Sequence, residues 1–205
     1  MKYRFKTKPY KHQMKALDTS WDKKNFALFC EMGTGKSKIL LDNIAILYDK
    51  GKINAALIVA PKDVYKNWVE QEIPKHIPDH IQCRTFYWVA PSSRTQSDKQ
   101  MLSQLYDETR DPCLTFFVIN VEAFSTKPGM EEAEKFLCVY KSLMAVDEST
   151  SIKTPRAQRT INISAVGRYA NYKRIMTGSP VTKSPLDLYS QCGFLDSELL
   201  GHDSF

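Results

Sequence analysis

The chain has 205 residues, of which 42% are hydrophobic and 25% are charged, and this composition is typical of one globular domain with a sizeable core. No apolar run approaches the ~20 residues of a membrane span, and no signal-like segment or C-x-x-C pair is present, so we expect a cytoplasmic protein with five reduced cysteines and no zinc site. The net charge of +6 is concentrated in residues 1–17 and 149–186, which hold thirteen Lys/Arg and no acid, and it favours nucleic acid as a partner, with a solvated basic surface as the alternative.

Six short apolar segments alternate along the chain with segments of helical periodicity. The predicted strands are Phe26–Cys30, Ala55–Ala60, Thr85–Val89, Leu114–Ile119, Leu143–Val146 and Arg174–Met176. The predicted helices are Lys38–Tyr48, Val64–Ile73, Asp98–Glu108, Glu131–Val139 and Pro155–Val166, with turns at Asp111-Pro112 and Lys127–Gly129 and a mobile loop at Ser92–Ser97. Several strands are apolar on both faces, which is typical of a parallel sheet covered by helices on both sides. The alternation predicts a three-layer α/β domain with a mainly parallel central sheet.

The segment Cys30–Ser37 lies between the first predicted strand and the first predicted helix. It keeps the G-x-G-K-S end of a phosphate-binding loop, although Cys30 stands where the usual motif begins with glycine. Glycines let successive backbone N–H groups face one anion, and the following helix adds its positive N-terminal end. Lys36 would reach the β- and γ-phosphates and Ser37 would bind Mg²⁺. The predicted nucleotide-binding residues are Met32, Gly33, Thr34, Gly35, Lys36 and Ser37; the alternative is a Gly-rich turn with an exposed lysine.

Two adjacent acids, Asp147 and Glu148, follow the fifth predicted strand directly. Nucleotide hydrolysis requires one carboxylate for the Mg²⁺ shell and a second to polarise the attacking water, and we assign these roles to Asp147 and Glu148 respectively. Together with Lys36 they form the predicted catalytic set. The segment Thr177–Pro180 follows the sixth strand, and its hydroxyls would lie beside the acid pair if the two strands are neighbours.

In their order along the chain, these motifs resemble those of the first RecA-like lobe of superfamily-two helicases, most closely the Swi/Snf-type translocases. The resemblance covers nearly the whole chain. The segments that carry it are His12-Gln13, Glu31–Ser37, Leu57–Lys62 with Trp68 downstream, Val118–Glu122, Asp147–Lys153, Thr177–Pro180, Leu186–Tyr189 and Phe194-Leu195.

The resemblance implies a RecA-like P-loop NTPase domain that uses ATP and Mg²⁺ to move on nucleic acid, most plausibly duplex DNA. It assigns adenine recognition to Gln13. The nucleic-acid contacts that it implies are Pro61, Lys62 and Asn120, with Lys153 and Arg156 as further candidates for phosphate binding. The residues that would couple the nucleotide to the nucleic acid are Thr150, Thr177 and Ser179.

Two positions depart from the family pattern: Thr150 occupies a position where the family usually has histidine, and Lys183 one where it usually has asparagine. These departures and the small loops are more similar to bacteriophage or bacterial members than to chromatin remodellers, which would place the protein in the host cytoplasm if a phage encodes it.

The resemblance also implies that residues 1–205 form one lobe, with 1–24 as the adenine-reading segment and 194–205 as the start of a connection to a second lobe. Only 25 residues follow Pro180, too few for another lobe of ~150 residues, so we expect weak ATP binding and poor hydrolysis by this chain alone. The alternative function is a non-catalytic module that binds nucleic acid or protein on the same fold. A P-loop kinase of small molecules is disfavoured, because the adenine-reading segment and Thr177–Pro180 would have no role in it.

Overall fold

Each predicted strand is present in the structure, a computed structural model that describes residues 3–107 and 111–200. The strands are β1 Asn25–Phe29, β2 Ala55–Ala60, β3 Cys83–Tyr87, β4 Leu114–Asn120, β5 Ser142–Asp147 and β6 Tyr172–Thr177. They form one six-stranded sheet in the order β1-β6-β5-β2-β4-β3, and all five pairings are parallel. The predicted α/β fold with a parallel central sheet is therefore confirmed.

Helices connect the strands and cover the sheet. They are α1 Lys11–Ser20, α2 Lys36–Asp49, α3 Tyr65–Asn67, α4 Ile73–His76, α5 Gln96–Ser103, α6 Lys127–Val139, α7 Gln158–Gly167 and α8 Asp187–Leu195. A π-helix, Trp68–Glu72, joins α3 to α4, so the single helix predicted over Val64–Ile73 is continued in three segments of different winding. Among the described residues, no helix has the length and apolar character needed to cross a bilayer.

The prediction of a turn at Lys127–Gly129 is wrong, because these residues are the first turn of α6. Pro128 is tolerated there, since the first N–H groups of a helix have no intrahelical acceptor. Thr126 caps this end by accepting the N–H of Gly129 over 3.4 Å. The proposed loop at Ser92–Ser97 is also more regular than expected: Thr95 caps α5 in a reciprocal pair of hydrogen bonds with Asp98. Of the helix predicted over Asp98–Glu108, α5 ends at Ser103, and Glu108 lies outside the described residues.

The sheet is buried on both faces by two hydrophobic cores. Every residue of β2 is buried, and alternate residues enter different cores because strand side chains alternate between faces. Ala56 and Ile58 pack with α1, α2 and α4, whereas Leu57 and Val59 pack with α6, α7 and α8. This explains why strand periodicity was absent from the sequence of β2. The two cores also hold the carboxyl ends of the strands in one row, where the loops that follow them can form a site.

A buried arginine joins α1, α2 and the sheet. Arg174, on β6, is fully buried, and its guanidinium donates to the Asn43 side chain (3.0 Å) and to the carbonyls of Ser20 (3.0 Å) and Lys24 (3.1 Å). Burial lowers its pKa to about 10, so it stays protonated at neutral pH. The carbonyl of Ser20 belongs to the last turn of α1, where carbonyls have no intrahelical donor, so Arg174 fixes the end of the helix that carries Gln13.

We expect Arg174→Met to lower the free energy of unfolding by about 3 kcal/mol, because the buried Asn43 oxygen loses the Arg174 donor and the Ser20 and Lys24 carbonyls each keep only a backbone donor. Urea denaturation of the 205-residue chain measures this loss. The matched control is Arg168→Met. Among the described residues, the exposed Arg168 side chain bonds the nearby Ala165 carbonyl alone, and its loss should change stability by less than about 0.5 kcal/mol. Equal effects of the two substitutions would contradict the role given to Arg174.

Candidate functional site

The loop between β1 and α2 has the backbone that a phosphate-binding loop requires. Gly33 and Gly35 adopt positive φ angles of 77° and 79°, which glycine alone tolerates without strain. Gly35 also has no room for a side chain, because a Cβ there would collide with the amide of Gln13. Lys36 and Ser37 are the first two residues of α2, so they stand where the unpaired N–H groups and the positive end of the helix lie.

Lys36 is directed over its own loop. Its ammonium donates to the carbonyls of Cys30 (3.0 Å) and Glu31 (3.2 Å), and the Thr34 hydroxyl donates to the same Glu31 carbonyl over 2.7 Å. These acceptors are neutral groups. The positive charge of Lys36 is thus held at the centre of the loop by hydrogen bonds that do not neutralise it.

The acid pair lies where β5 and β6 end side by side, since Asp147 is in register with Met176 of the neighbouring strand. Asp147 accepts hydrogen bonds from the indole N–H of Trp68 (3.2 Å) and from the backbone N–H of Glu148 (3.0 Å). Glu148 accepts from the Thr177 hydroxyl over 3.1 Å. Glu148 has a φ of 45° and is the one described residue other than glycine with a positive φ. Such strain costs about 1 kcal/mol or more and is concentrated at functional sites.

Burial and the charge of Glu148 raise the pKa of Asp147 to about 6, against the effects of the Trp68 hydrogen bond and the charge of Lys36. Between about pH 4 and pH 6, Asp147 therefore keeps its proton in the ligand-free folded chain, whereas in the unfolded chain it has already lost it. Because the folded pKa is raised, this carboxyl opposes folding increasingly as pH rises from about 4 to about 6, and the opposition is complete above that range.

We expect Asp147→Asn to stabilise the ligand-free chain by about 1–2 kcal/mol at pH 8 and by much less at pH 5. The full gap between the pKa values corresponds to about 3 kcal/mol, and the asparagine loses part of this because it has one acceptor oxygen instead of two. Urea denaturation of both proteins at several pH values measures the difference. A stability difference that stays constant from pH 5 to pH 8 would show that Asp147 ionises normally.

The phosphate-type loop and the acid pair line one cavity of about 940 Å³ at the carboxyl edge of the sheet. The residues of the predicted site in its wall are Gln13, Met32, Gly33, Gly35, Lys36, Ser37, Asp147 and Glu148. The hydroxyl of Ser37 and the carboxylate of Asp147 are oxygen ligands of the kind that Mg²⁺ prefers, and Mg²⁺ completes its octahedron with phosphate oxygens and water. The donor set present thus fits a nucleotide-bound Mg²⁺ ion.

Gln13 is buried between α1 and the loop. Its side-chain oxygen accepts the Tyr10 N–H (2.9 Å), and its amide nitrogen donates to the Thr34 carbonyl (3.0 Å). These partners determine the orientation of the amide and leave it one N–H and one lone pair for a ligand. Gln13 therefore connects the first turn of α1 to the loop, in addition to the predicted contact with adenine.

The cavity wall includes part of the predicted adenine-reading segment 1–24 and two residues with no predicted role, Lys38 and His76. Residues Thr7–Tyr10 form one side of it, and they are held by Lys38, which donates to the Thr7 carbonyl and to Asp42, each over 2.8 Å. His76, to which we assigned no role, bonds the Thr7 hydroxyl over 3.2 Å. Burial lowers the pKa of His76 to about 4, so the contact involves a neutral imidazole at neutral pH.

The predicted coupling residues lie next to the acid pair. The buried Thr177 hydroxyl donates to Glu148 and accepts the Ser179 N–H over 3.2 Å. Thr150 lies in the short 3₁₀ turn Ser149–Ile152 that follows the pair, where its carbonyl accepts the N–H of Lys153 over 3.3 Å. The last residue of β6 therefore bonds directly to the carboxylate that we assign to water activation, and the segment that follows β6 bonds to that residue through Ser179.

The predicted nucleic-acid contacts fall into two groups. Pro61 and Lys62 follow β2, and Asn120 ends β4 beside Ala60, so these three lie at adjoining strand ends with Lys62 exposed. Lys153 and Arg156 follow β5. Arg156 is exposed, whereas the Lys153 ammonium bonds the Thr182 hydroxyl and lies 3.9 Å from the Asp187 carboxylate.

Two contacts across the fold were invisible in the sequence. Trp68, one of the residues that carry the family resemblance, is buried, and its indole N–H also bonds Asp147, which is 79 residues away in the chain. Gln191, on α8, is fully buried and bonds both Ser149 and Pro180. No spacing or motif indicates either contact, because each depends on how distant elements pack.

The chain matches the family model described as SNF2-related domain over residues 11–205. It is 26% identical over 183 residues to the chromatin-remodeling ATPases INO80 of Aspergillus terreus and Aspergillus oryzae; the match covers 88% of this chain and 10% and 12% of those proteins. The chain thus spans about a tenth of the length of these curated relatives.

Two solved structures share its fold. The Sulfolobus solfataricus SWI2/SNF2 ATPase core, solved in complex with dsDNA, superposes with a TM-score of 0.71 at 19% identity and covers 98% of this chain and 38% of that one. The UvsW helicase of bacteriophage T4 superposes with a TM-score of 0.62 at 12% identity, over 92% of this chain and 58% of that one. These matches confirm the predicted RecA-like fold and the resemblance to Swi/Snf-type proteins. The chain belongs to the SNF2-related domain family.

Proposed function

We propose that this chain is the ATP-binding N-terminal lobe of an ATP-dependent translocase that acts on duplex DNA, and that hydrolysis requires a second RecA-like lobe. The observation that carries the proposal is the single cavity that Lys36, Ser37, Asp147 and Glu148 all line. Hydrolysis needs a loop that binds the phosphates, a site for the metal ion and a residue that positions the attacking water, all within reach of one another. The four residues that supply these functions share this cavity.

Each residue then has a distinct task. Lys36 and the loop amides bind the β- and γ-phosphates, Ser37 and Asp147 hold Mg²⁺, and Gln13 contacts the adenine edge. Bound Mg²⁺ supplies charge neutralisation on the phosphates. Glu148 accepts a proton from the attacking water, and its bond to Thr177 connects this step to the segment that follows β6.

The comparisons support the remaining parts of the proposal. The structural neighbour from Sulfolobus was solved with dsDNA, which supports duplex DNA as the partner of Pro61, Lys62, Asn120, Lys153 and Arg156. The chain covers 38% of that core, which supports a single lobe over residues 1–205. Within this lobe we propose residues 1–24 as the adenine-reading segment and 194–205 as the start of the connection to the second lobe. Residues 201–205 of that connection lie outside the described part of the chain. A phage or bacterial source with a host-cytoplasmic location is also part of the proposal, and it rests on the departures from the family pattern at Thr150 and Lys183.

The test of the proposal is equilibrium titration of the 205-residue chain with AMP-PNP, a non-hydrolysable ATP analogue, with and without Mg²⁺. Saturable binding that Mg²⁺ strengthens is expected. The alternative, a non-catalytic module on the same fold, predicts binding of nucleic acid or protein with no Mg²⁺-dependent nucleotide affinity.

Phosphate contacts predict a steep loss of DNA affinity with added salt. We expect Lys62→Ala to weaken binding of a short duplex and to reduce the slope of log K against log salt by about 1, since one phosphate contact is removed. Fluorescence anisotropy at several salt concentrations measures both effects. The control is Lys50→Ala, at the far end of α2 and away from the strand ends, which should leave the slope unchanged. Identical slopes for Lys62→Ala and the unmodified chain would remove Lys62 from the interface.

A further inference from the structure

Gln191 is a fully buried polar side chain that the proposed ATPase site does not use. Its amide nitrogen donates to the carbonyls of Pro180 (2.8 Å) and Asp187 (2.7 Å), and its oxygen accepts the Ser149 hydroxyl over 2.6 Å. Both N–H groups and one lone pair are therefore used. Because the two carbonyls only accept hydrogen bonds, the amide has one possible orientation. A buried amide with these three hydrogen bonds fixes the positions of Ser149, Pro180 and Asp187 relative to one another.

The partners of Gln191 belong to two segments that the proposed mechanism needs to coordinate. Ser149 directly follows Glu148, and Pro180 directly follows Ser179. At the cavity, Glu148 and Thr177 already connect these segments by one hydrogen bond. Gln191 adds a second connection, to Ser149 and Pro180, through residues that do not line the cavity. The segments that follow β5 and β6 are thus joined by both connections.

The second connection continues toward the predicted nucleic-acid contacts. The carboxylate of Asp187 accepts the N–H groups of Thr182 and Lys183, each over 2.8 Å, and these bonds hold its pKa well below the usual range. Lys153 bonds the Thr182 hydroxyl and lies 3.9 Å from Asp187. Residues 180–187 therefore hold the Lys153 ammonium by a hydrogen bond and an ion pair.

We propose that Gln191 is a positioning residue that makes the segments 147–149 and 177–187 move as one unit. Binding of a nucleotide in the cavity then changes the position of the Lys153 ammonium. This inference rests on the proposed function, because it assumes that the cavity binds ATP. The connection observed in the structure uses Ser149 rather than its neighbour Thr150, which stands where the family usually has histidine.

Ser149→Ala tests the connection with little risk to folding. It removes the hydroxyl but leaves Gln191 bonded to Pro180 and Asp187, and α8 stays docked by the buried side chains of Phe194 and Leu195. The matched control is Ser151→Ala, since the Ser151 hydroxyl is buried but has no hydrogen-bond partner among the described residues. Hydrogen–deuterium exchange of the whole chain, with and without Mg²⁺ and AMP-PNP, is the measurement.

In the unmodified chain, AMP-PNP should slow exchange about fivefold or more in both 147–153 and 180–187. In Ser149→Ala the nucleotide affinity should stay within about threefold and the slowing at 147–153 should persist, but the slowing at 180–187 should be lost. Ser151→Ala should behave as the unmodified chain. The proposal would be overturned if AMP-PNP still slowed exchange at 180–187 in Ser149→Ala as much as in the unmodified chain. It would also be overturned if Ser151→Ala lost this slowing to the same extent.

Failure of the proposed function gives a different result, namely no binding of AMP-PNP by the unmodified chain. The connection itself is then decided without nucleotide. Ser149→Ala should accelerate exchange about fivefold in 180–187 as well as in its own segment, and Ser151→Ala in neither. Acceleration confined to residues near position 149 would show that Gln191 does not join the two segments.

Discussion

Lys36→Ala should weaken binding of Mg²⁺–ATP to this chain by about 100-fold, which corresponds to about 2.7 kcal/mol. The ammonium is held over the loop by the neutral carbonyls of Cys30 and Glu31, and exchanging them for charged phosphate oxygens gives the stronger, charge-assisted hydrogen bond. Alanine removes that exchange but keeps the first turn of α2, because alanine is a good helix former. Isothermal titration calorimetry with AMP-PNP measures the affinity.

The control for Lys36→Ala is Lys50→Ala, which removes the same charge from the opposite end of the same helix. A general effect of net charge on nucleotide binding would appear in both variants, whereas a phosphate-binding role would appear only at position 36. Binding by Lys36→Ala that equals binding by the unmodified chain would separate the glycine loop from the nucleotide and leave the non-catalytic module as the better explanation.

Glu148→Gln should lower ATP turnover by about 1000-fold while ATP affinity changes by less than about threefold. Glutamine has the same shape and can still accept the Thr177 hydroxyl, so the backbone at φ 45° and the coupling bond remain. What it lacks is the basic oxygen that takes a proton from the attacking water. The proposed function places hydrolysis between two lobes, so the measurement uses this chain fused to a second RecA-like lobe, with and without duplex DNA.

The result at Glu148 differs in kind from the result at Asp147. Asp147→Asn should remove the Mg²⁺-dependent part of ATP affinity, because it removes an ion ligand, whereas Glu148→Gln should preserve it. Glu131→Gln, an exposed acid on α6 that does not line the cavity, is the control and should leave turnover and affinity unchanged. Turnover by Glu148→Gln at the rate of the unmodified fusion would mean that another group activates the water.

The strands were predicted closely because burial on both faces leaves a strong local signal. In β2 the predicted and observed bounds are the same, Ala55–Ala60, since all six positions are apolar. Errors arose where local signals have two interpretations. Pro128 is common both in turns and in the first turn of a helix, and the capping of α6 by Thr126 decides between them. The π-helix at Trp68–Glu72 has no sequence signature, because its winding depends on packing against the sheet.

In the candidate site, too, features formed by neighbouring residues were predicted, whereas contacts between distant residues were not. The glycine loop is contiguous in sequence, and its chemistry depends on backbone conformations that Gly33 and Gly35 permit, so spacing alone indicated it. Asp147 and Glu148 were predicted from a strand that ends in acids. The sequence contained no indication that Trp68 orients Asp147 or that Gln191 connects Ser149 to Pro180.

By itself, then, the order of residues determined the fold class, the phosphate-type loop and the identity of the acid pair. Each depends on residues that are neighbours in sequence: the apolar pattern indicates the fold, the glycines indicate the loop, and the end of a strand indicates the acids. Only the tertiary structure decided that the loop and the acids share one cavity, that Arg174 fixes α1, and that α8 joins two functional segments. These depend on strand order and on contacts between residues far apart in the chain, which are set by burying both faces of the sheet at once.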